Sequence, residues 1–273
     1  MKITAILKNK KIRRSIIIIL LILIFFVYGF TIRTVRYKIS SDKITEKIKI
    51  VFLSDLHNCF YGGFDQSGLL KRIDKENPDI VIFGGDIIDE YGGTKFAIKL
   101  MSETVKKYPC YYTEGNHECS RDDNRLFHQQ VRNLGINVVE GKNRQITVKN
   151  QKINIVGIVN ANYHTEEFIS DLSKSYAYNI VIMHEPQQID SILNCGFDLV
   201  LSGHAHGGQW RLPFILEQGL YAPDQGLFPD YTNGMFTYGN TVHIISKGLA
   251  RPLRMIFIPR IYNHPEFTVI EIS

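Results

Sequence analysis

Five short apolar runs of this sequence each end in a group of Asp, Asn or His residues, and this feature constrains the fold more than any other. Each run has the length and composition of a buried β-strand. Because ligands bind beyond the carboxyl ends of strands in open α/β sheets, we expect the five groups to meet at one place. Five of the nine histidines lie in these groups, a concentration that packing alone does not explain. The groups are residues 55–57, 84–89, 115–118, 184–185 and 203–206.

Strand-like and helix-like segments alternate after residue 47. Short apolar runs predict strands, and amphipathic segments closed by Asn-Pro, Pro or Gly predict helices. A β-rich middle section interrupts the alternation. The pattern predicts an α/β protein in which two mixed β-sheets pack as a sandwich flanked by helices. The predicted strands are 48–54, 79–83, 110–113, 136–140, 145–150, 153–159, 179–183, 198–201, 241–246 and 267–272, and the predicted helices are 66–76, 94–108, 122–134 and 187–195.

The N-terminal segment predicts a membrane anchor. Residues 16–32 form an almost uninterrupted apolar run, near the lower limit for crossing a hydrocarbon core about 30 Å thick. Lys and Arg are in excess before the run, which predicts a cytoplasmic N-terminus with the rest of the chain outside. No small-residue cleavage site follows, so an uncleaved signal anchor is favoured over a cleaved or twin-arginine signal peptide. The predicted organisation is a cytoplasmic basic segment (1–14), a single transmembrane signal anchor (15–32), a linker (33–47) and an extracytoplasmic catalytic domain (48–273).

The charge of the chain is concentrated in the same N-terminal segment. Residues 1–47 hold 11 Lys and Arg against 2 Asp and Glu, whereas the other 226 residues hold 21 against 25 and carry a formal charge of −4. The basic balance of the whole chain therefore gives no support to a nucleic-acid partner.

The five polar groups supply the ligands that a two-metal site needs. Two divalent ions about 3.5–4 Å apart need a bridging anion, and the carboxylate of Asp86 has two oxygens to give. Mixed nitrogen and oxygen ligands favour Mn, Fe or Zn over Mg or Ca. The ions would make a bridging hydroxide available as nucleophile, and His117 could protonate the leaving oxygen or stabilise a phosphoryl oxygen. The predicted ligands are Asp55, His57 and His206 for one ion, Asn116, His184 and His204 for the other, and Asp86 for both.

The ordered motifs D-x-H, G-D-x-x-D, G-N-H-[ED], H and G-H-x-H resemble those of the calcineurin-like metallophosphoesterases, over roughly residues 48–273. Residues 207–209, 246–249 and 265–266 resemble the exported or membrane-anchored bacterial branch of that family. The resemblance implies a double β-sandwich flanked by helices, two metals bound at the seven positions named above, and a catalytic His117. Cys59 and Glu118 depart from the usual pattern, but neither departure removes a ligand.

We therefore predict a single-pass phosphoesterase of the cell membrane that hydrolyses phosphodiester or phosphomonoester bonds. Residues 210–238 and 251–260 mix aromatic side chains with cations and suggest a rim that admits a lipid-linked substrate near the membrane. The alternative for this rim is that the aromatic residues only pack over a sheet edge. Alternatives for the function are a nuclease or cyclic-nucleotide phosphodiesterase, and a catalytically silent metal-binding scaffold.

The remaining polar residues predict no further site. The four cysteines match no metal-binding spacing, so four thiols are expected, with a Cys59–Cys119 disulfide as the alternative. Asp89, Glu118 and Glu185 are expected to support ligands or cap loops. The histidines expected on the surface or hydrogen-bonded in the core are His128, His164, His243 and His264.

Overall fold

The computed structural model describes residues 10–161, 164–212, 214–251 and 260–273, without the side chains of residues 21 and 24–27. In this part of the chain, fourteen strands form two six-stranded sheets and a two-stranded ribbon. The strands are β1 (Arg33–Ile39), β2 (Ile48–Leu53), β3 (Ile80–Gly84), β4 (Cys110–Thr113), β5 (Asn137–Val138), β6 (Asn143–Val148), β7 (Gln151–Ile158), β8 (Tyr178–Met183), β9 (Leu199–Ser202), β10 (Tyr221–Ala222), β11 (Gly226–Leu227), β12 (Gly234–Tyr238), β13 (Thr241–Ile245) and β14 (Glu266–Ile272).

Both large sheets are mixed, which confirms the predicted class of two sheets with helices. The first has the order β1-β14-β2-β3-β4-β5, and the second has the order β12-β13-β9-β8-β7-β6. Strands β2 to β5 are parallel, as are β7, β8, β9 and β13, so several strands of each sheet end at the same edge. The helices are α1 (Lys10–Phe30), α2 (Ser67–Glu76), α3 (Lys95–Val105), α4 (Asn116–Cys119), α5 (Asn124–Asn133) and α6 (Glu166–Leu172), with 3₁₀ turns at Pro186–Ser191 and His206–Gly208.

Alternate side chains of the strands build separate core layers. In β2, Ile50 and Phe52 lie in one apolar cluster with Ile180 of β8, between the two sheets. Val51 and Leu53 face the opposite way and lie in a second cluster with the buried side chains of α2, α3 and α5. Because both faces of the central strands are buried, their sequences are continuously apolar. The core therefore fixes the strand ends, and the loops that follow them, on a rigid frame.

The N-terminal region differs from its prediction after the apolar run. Helix α1 covers most of that run, and its side chains from Ile16 to Leu20 are exposed. Among the residues that the structure describes, no helix has both the length and the apolar character needed to cross a membrane. The predicted linker is wrong for residues 33–39, which form β1 and pair in parallel with β14. Arg33 lies opposite Glu266, so the partner that stabilises this strand comes from the far end of the chain.

The helix predicted at 187–195 is also wrong. A 3₁₀ turn at Pro186–Ser191 replaces it, and the buried side chains Ile189, Ile192 and Cys195 recur every three residues, which matches the period of a 3₁₀ helix. The four cysteines carry thiols rather than disulfides, as expected. Short strands β10, β11 and β12 occupy part of the segment 210–238, for which no strand was predicted.

Candidate metal centre

Strand ends from the two sheets meet at the candidate centre. Asp55 follows β2, Asp86 follows β3 and Asn116 follows β4 in the first sheet. His184 and His204 follow β8 and β9, which are parallel neighbours in the second sheet. His184 Nε2 lies 3.2 Å from Asp86 Oδ2, so ligands from the two sheets are in direct contact. The convergence follows from parallel strands that end at a common edge.

Six of the predicted ligands form two groups, each with its ligand atoms within 4.8 Å of one another. Asp86 links the groups, because its Oδ2 lies 3.8 Å from His57 Nε2 and 3.2 Å from His184 Nε2. The seventh residue, Asn116, places its Oδ1 2.9 Å from His204 Nδ1. The structure thus brings all seven predicted residues together. One group is Asp55, His57 and His206, and the other is Asp86, His184 and His204.

Hydrogen bonds determine which imidazole nitrogens could bind a metal. His57 Nδ1 lies 2.8 Å from Asp89 Oδ1, and His184 Nδ1 lies 2.8 Å from the carbonyl oxygen of Gly84. Both partners are acceptors, so each Nδ1 donates and each Nε2 is left unprotonated in the neutral ring. This arrangement, in which the second nitrogen is held by a carboxylate or a carbonyl, is the usual one for metal-binding histidines.

His204 presents the opposite nitrogen, because Asp224 holds its ring. Asp224 Oδ2 lies 2.8 Å from His204 Nε2, which therefore donates and leaves Nδ1 as an acceptor. That Nδ1 faces the amide oxygen of Asn116. Two acceptors that converge in this way suit a shared cation. The sequence analysis did not predict Asp224. The one feature that could have indicated it is that it is a carboxylate in the long irregular segment 210–238.

Unsatisfied buried atoms provide the test of whether a metal fits here. Asp55 Oδ2, His57 Nε2 and His184 Nε2 are buried and have no hydrogen-bond partner within the described residues. Leaving such a group unsatisfied costs about 1–3 kcal/mol, more where it is charged. Burial lowers the pKa of His206 well below its usual value, which favours its neutral form. Burial also opposes a charge on His57 and His184, but the carboxylates around them outweigh it and raise their pKa, that of His184 to about 10, so a metal would take the place of a proton on these two rings. The donor atoms therefore fit divalent ions such as Mn, Fe or Zn.

Glu118 holds the loop that carries Asp86. Its fully buried carboxylate accepts four backbone N–H groups, with Oε2 bound to Asp86 and Gly115 and Oε1 bound to Ile87 and Ile88. The distances are 2.7–3.0 Å. Glu118 therefore supports a ligand, as expected, by holding the backbone of the turn after β3 that carries Asp86.

The backbone of the site is strained at most of the ligand positions. Five of the seven predicted ligands have a positive φ, which non-glycine residues adopt at a cost of about 1–3 kcal/mol each. Glycines give the carboxylates room, since a Cβ on Gly115 would lie 2.3 Å from Asp86 Oδ1 and one on Gly203 would lie 2.4 Å from Asp55 Oδ2. The strained ligands are Asp55 (51°), His57 (47°), Asp86 (51°), His204 (67°) and His206 (48°).

His117 stands at the open side of the centre and is half-buried. Its Nδ1 accepts a hydrogen bond from the backbone N–H of Glu90 at 3.3 Å, which places the proton of the neutral ring on Nε2. That Nε2 lies 3.9 Å from Asp86 Oδ2, and the backbone N–H of His117 donates to Asp86 Oδ1 at 3.0 Å. Burial lowers the pKa of His117. The residue therefore presents a donor beside the carboxylate that links the two groups.

Two packed sheets with carboxylates and imidazoles grouped at their shared strand ends define a metal-dependent hydrolase. The chain belongs to the calcineurin-like phosphoesterase family, whose model matches residues 48–208. This family depends on two metal ions, so the protein is a metal-dependent phosphoester hydrolase.

Known relatives agree with this membership. The metallophosphoesterase YkuE of Bacillus subtilis (strain 168) is 27% identical over 243 residues, which cover 84% of each chain. The phosphodiesterase YaeI of Escherichia coli (strain K12) is 25% identical over 235 residues, or 82% of each chain. Among solved structures, TT1561 of Thermus thermophilus matches with a TM-score of 0.50 and 9% identity, covering 74% of this chain and 90% of that chain, which supports the fold alone.

Proposed function

We propose that the protein cleaves a phosphodiester or phosphomonoester bond at two divalent ions held by the seven converging residues. The observation that carries this proposal is the position of Asp86 Oδ2, 3.2 Å from His184 and 3.8 Å from His57, between the two groups of ligands. When bound, two such ions supply an activated water and neutralise charge on the phosphoryl oxygens. The mixed donor set favours Mn, Fe or Zn.

His117 is the proposed catalytic residue of the chain. Its Nε2–H points to the side of Asp86, where it can donate to a phosphoryl oxygen or transfer its proton to the leaving oxygen. The hydrogen bonds that His117 forms with Asp86 and Glu90 fix its ring relative to the ligands. A scaffold that only bound metal would not need this donor, which argues against the catalytically silent alternative.

The cavity next to the centre supports a substrate with an apolar group. Its volume is about 650 Å³, and it is lined by His57 together with Phe60, Phe96 and Arg251. The ring centroids of Phe60 and Phe96 are 5.1 Å apart, and the guanidinium carbon of Arg251 lies 4.7 Å from the Phe60 centroid. An aromatic wall with one cation suits an amphiphilic, lipid-linked phosphoester. Residue 251 belongs to the predicted rim, and residues 252–259 lie outside the described part.

We also propose that the catalytic domain lies outside the cytoplasm, held at the cell membrane by its N-terminal segment. The support is the apolar run at 16–32 with its preceding basic residues, and the exposed apolar side chains of α1. Protease treatment of intact spheroplasts tests this: the domain should be digested while a cytoplasmic marker survives. A domain protected until the cells are lysed would contradict the proposal.

A nuclease or cyclic-nucleotide phosphodiesterase is the competing activity. The formal charge of −4 on residues 48–273 disfavours a polyanionic substrate, because nucleic-acid binding draws mainly on cation contacts to phosphates. This alternative uses the same metal centre and differs only in the substrate. A comparison of the hydrolysis rates of a lipid-linked phosphoester and of nucleotide substrates therefore decides between the two activities.

Two measurements on the metal-loaded protein test the proposal. With bis(p-nitrophenyl) phosphate and Mn²⁺, His117→Ala should lower kcat about 10²–10⁴-fold and retain two ions per chain. The control His164→Ala, at a half-buried histidine whose ring stacks on Phe168, should match the wild type. Equal rates for His117→Ala would exclude its role.

Dodecyl p-nitrophenyl phosphate should then exceed methyl p-nitrophenyl phosphate in kcat/KM by at least about tenfold, and Phe96→Ser should reduce that ratio. A ratio near one would refute the apolar subsite.

A further inference from the structure

A second cavity lies apart from the metal centre and has a basic lining. Its volume is about 300 Å³, and none of the seven predicted metal ligands lines it. Three cations reach it from three parts of the chain: Arg33 at the start of β1, Arg211 after the His206–Gly208 turn, and Lys247 after β13. One carboxylate, Glu217, belongs to the lining. The cavity therefore collects more positive than negative charge.

None of these cations forms a salt bridge within the described ranges. Arg211 Nη1 donates to two neutral oxygens, the carbonyl of Gly207 at 2.9 Å and Asn233 Oδ1 at 2.5 Å. The residues outside the described ranges include no Asp or Glu, so they cannot supply a missing side-chain carboxylate. Glu217 and the buried Glu266 offset part of this charge, but three cations at one cavity outnumber the single carboxylate that lines it. The surplus of positive charge is unfavourable on its own, which indicates that an anion completes the cavity.

The surroundings of Lys247 point the same way. Burial, together with the charge of Arg211, lowers the pKa of Lys247 to about 8. Behind it, the fully buried guanidinium of Arg260 donates to the carbonyl oxygen of Lys247, and its Nε and Nη1 have no partner among described residues. Glu266 is the buried carboxylate nearby, and Thr268 donates to it. An added anion would be attracted by all of these cations at once.

The geometry selects the kind of anion. Two guanidinium groups and one ammonium group offer donors from several directions, which a tetrahedral phosphate accepts better than a planar carboxylate. Tyr28 forms one wall, stacked on His264 with ring centroids 4.6 Å apart and edge-on to Tyr262 at 5.2 Å. We propose that this cavity is a second anion site that binds a phosphate group, independently of the proposed function of the metal centre.

The position of the site leaves two sources for that phosphate. Tyr28 lies near the end of α1, whose exposed apolar side chains would suit the acyl region of a lipid, so an anionic phospholipid headgroup is one source. Soluble phosphate is the other. Arg211 also binds the carbonyl of Gly207, the residue after the predicted ligand His206, so an occupant of the cavity would contact the same loop.

Phosphate binding to the metal-loaded full-length chain tests the proposal. Equilibrium dialysis with labelled inorganic phosphate should give two sites for the wild type and one for Arg33→Gln/Lys247→Gln. The matched control Arg125→Gln/Lys142→Gln, which removes the same charge at exposed positions, should keep two. Arg33→Glu, an exposed change that leaves the buried groups in place, should weaken the second site at least about tenfold, with Arg125→Glu as its control. Two unchanged sites in both cavity variants would overturn the proposal.

Vesicles then distinguish the sources. If the occupant is a lipid headgroup, wild-type protein should co-sediment with phosphatidic acid vesicles better than with phosphatidylcholine vesicles, and the cavity variants should lose that difference while the controls keep it. Loss of the second phosphate site without any change in co-sedimentation assigns the site to soluble phosphate. The cavity variants remove only the second phosphate site and leave the site at the metals. Failure of the anion-site proposal can therefore be distinguished from failure of the proposed function of the metal centre.

Discussion

Replacing Glu118 with Gln should destabilise the protein through the turn that carries Asp86. The amide keeps one oxygen, but its NH₂ group then faces two backbone N–H groups, either those of Asp86 and Gly115 or those of Ile87 and Ile88. Each buried donor that loses its acceptor costs about 1–3 kcal/mol, so the free energy of unfolding should fall by about 2–6 kcal/mol. Because the side chain is fully buried, water cannot replace the lost acceptor.

Urea unfolding at pH 8 measures this effect. Burial and the charge of Asp86 raise the pKa of Glu118 to about 7, so the wild-type carboxylate is mostly ionised at that pH. The matched control is Glu185→Gln, at the other His-Glu pair. Among the described residues, the Glu185 carboxylate accepts only from the side-chain amides of Gln187 and Gln188, so this variant should change stability by less than about 1 kcal/mol. Manganese affinity should also fall about 10–100-fold in Glu118→Gln alone. Equal unfolding midpoints for the two variants would refute the account of the turn.

Three further predictions concern the metal centre and the core. Asp224→Asn should weaken Mn²⁺ binding about 10–100-fold by loosening the ring of His204, whereas Asp230→Asn should not, as measured by competition with a metal indicator. Burial lowers the pKa of His243 to about 3, so at this histidine only the unfolded chain gains a proton as the pH falls from 6.5 to 4.5. The free energy of unfolding should therefore decrease by up to about 2.7 kcal/mol over that pH range, and the His243→Gln variant should lack this decrease. Chelation should lower the melting temperature, since each ion at 100 times its dissociation constant adds about 2.7 kcal/mol.

The sequence predicted strands and ligands correctly where the local sequence pattern and the tertiary contacts favour the same structure. The run Cys110–Thr113 is a strand with the predicted bounds because both of its faces are buried. Asp55 and His204 belong to different sheets and meet because the parallel strands of both sheets end on the same side of the sandwich. Strand β1 was missed, since its pairing depends on β14, more than 200 residues later. Asp224 was missed for a different reason: it lies only 20 residues after His204, but in the irregular segment 210–238, whose path back to His204 no local pattern indicates.

The left-handed backbone at the ligand positions limits how this centre can be altered. Asp, Asn, His and Gly tolerate such a conformation, whereas β-branched side chains do not. An exchange of Asp55 or Asp86 for Glu or Cys would therefore meet a conformational barrier before any question of coordination arose, and only Asn and His remain as donors that suit the backbone. Asp89 and Glu118, which hold the ligands in place, lie outside the left-handed region and carry no such restriction. Engineering of metal preference in this protein should begin with those two supporting carboxylates rather than with the donors themselves.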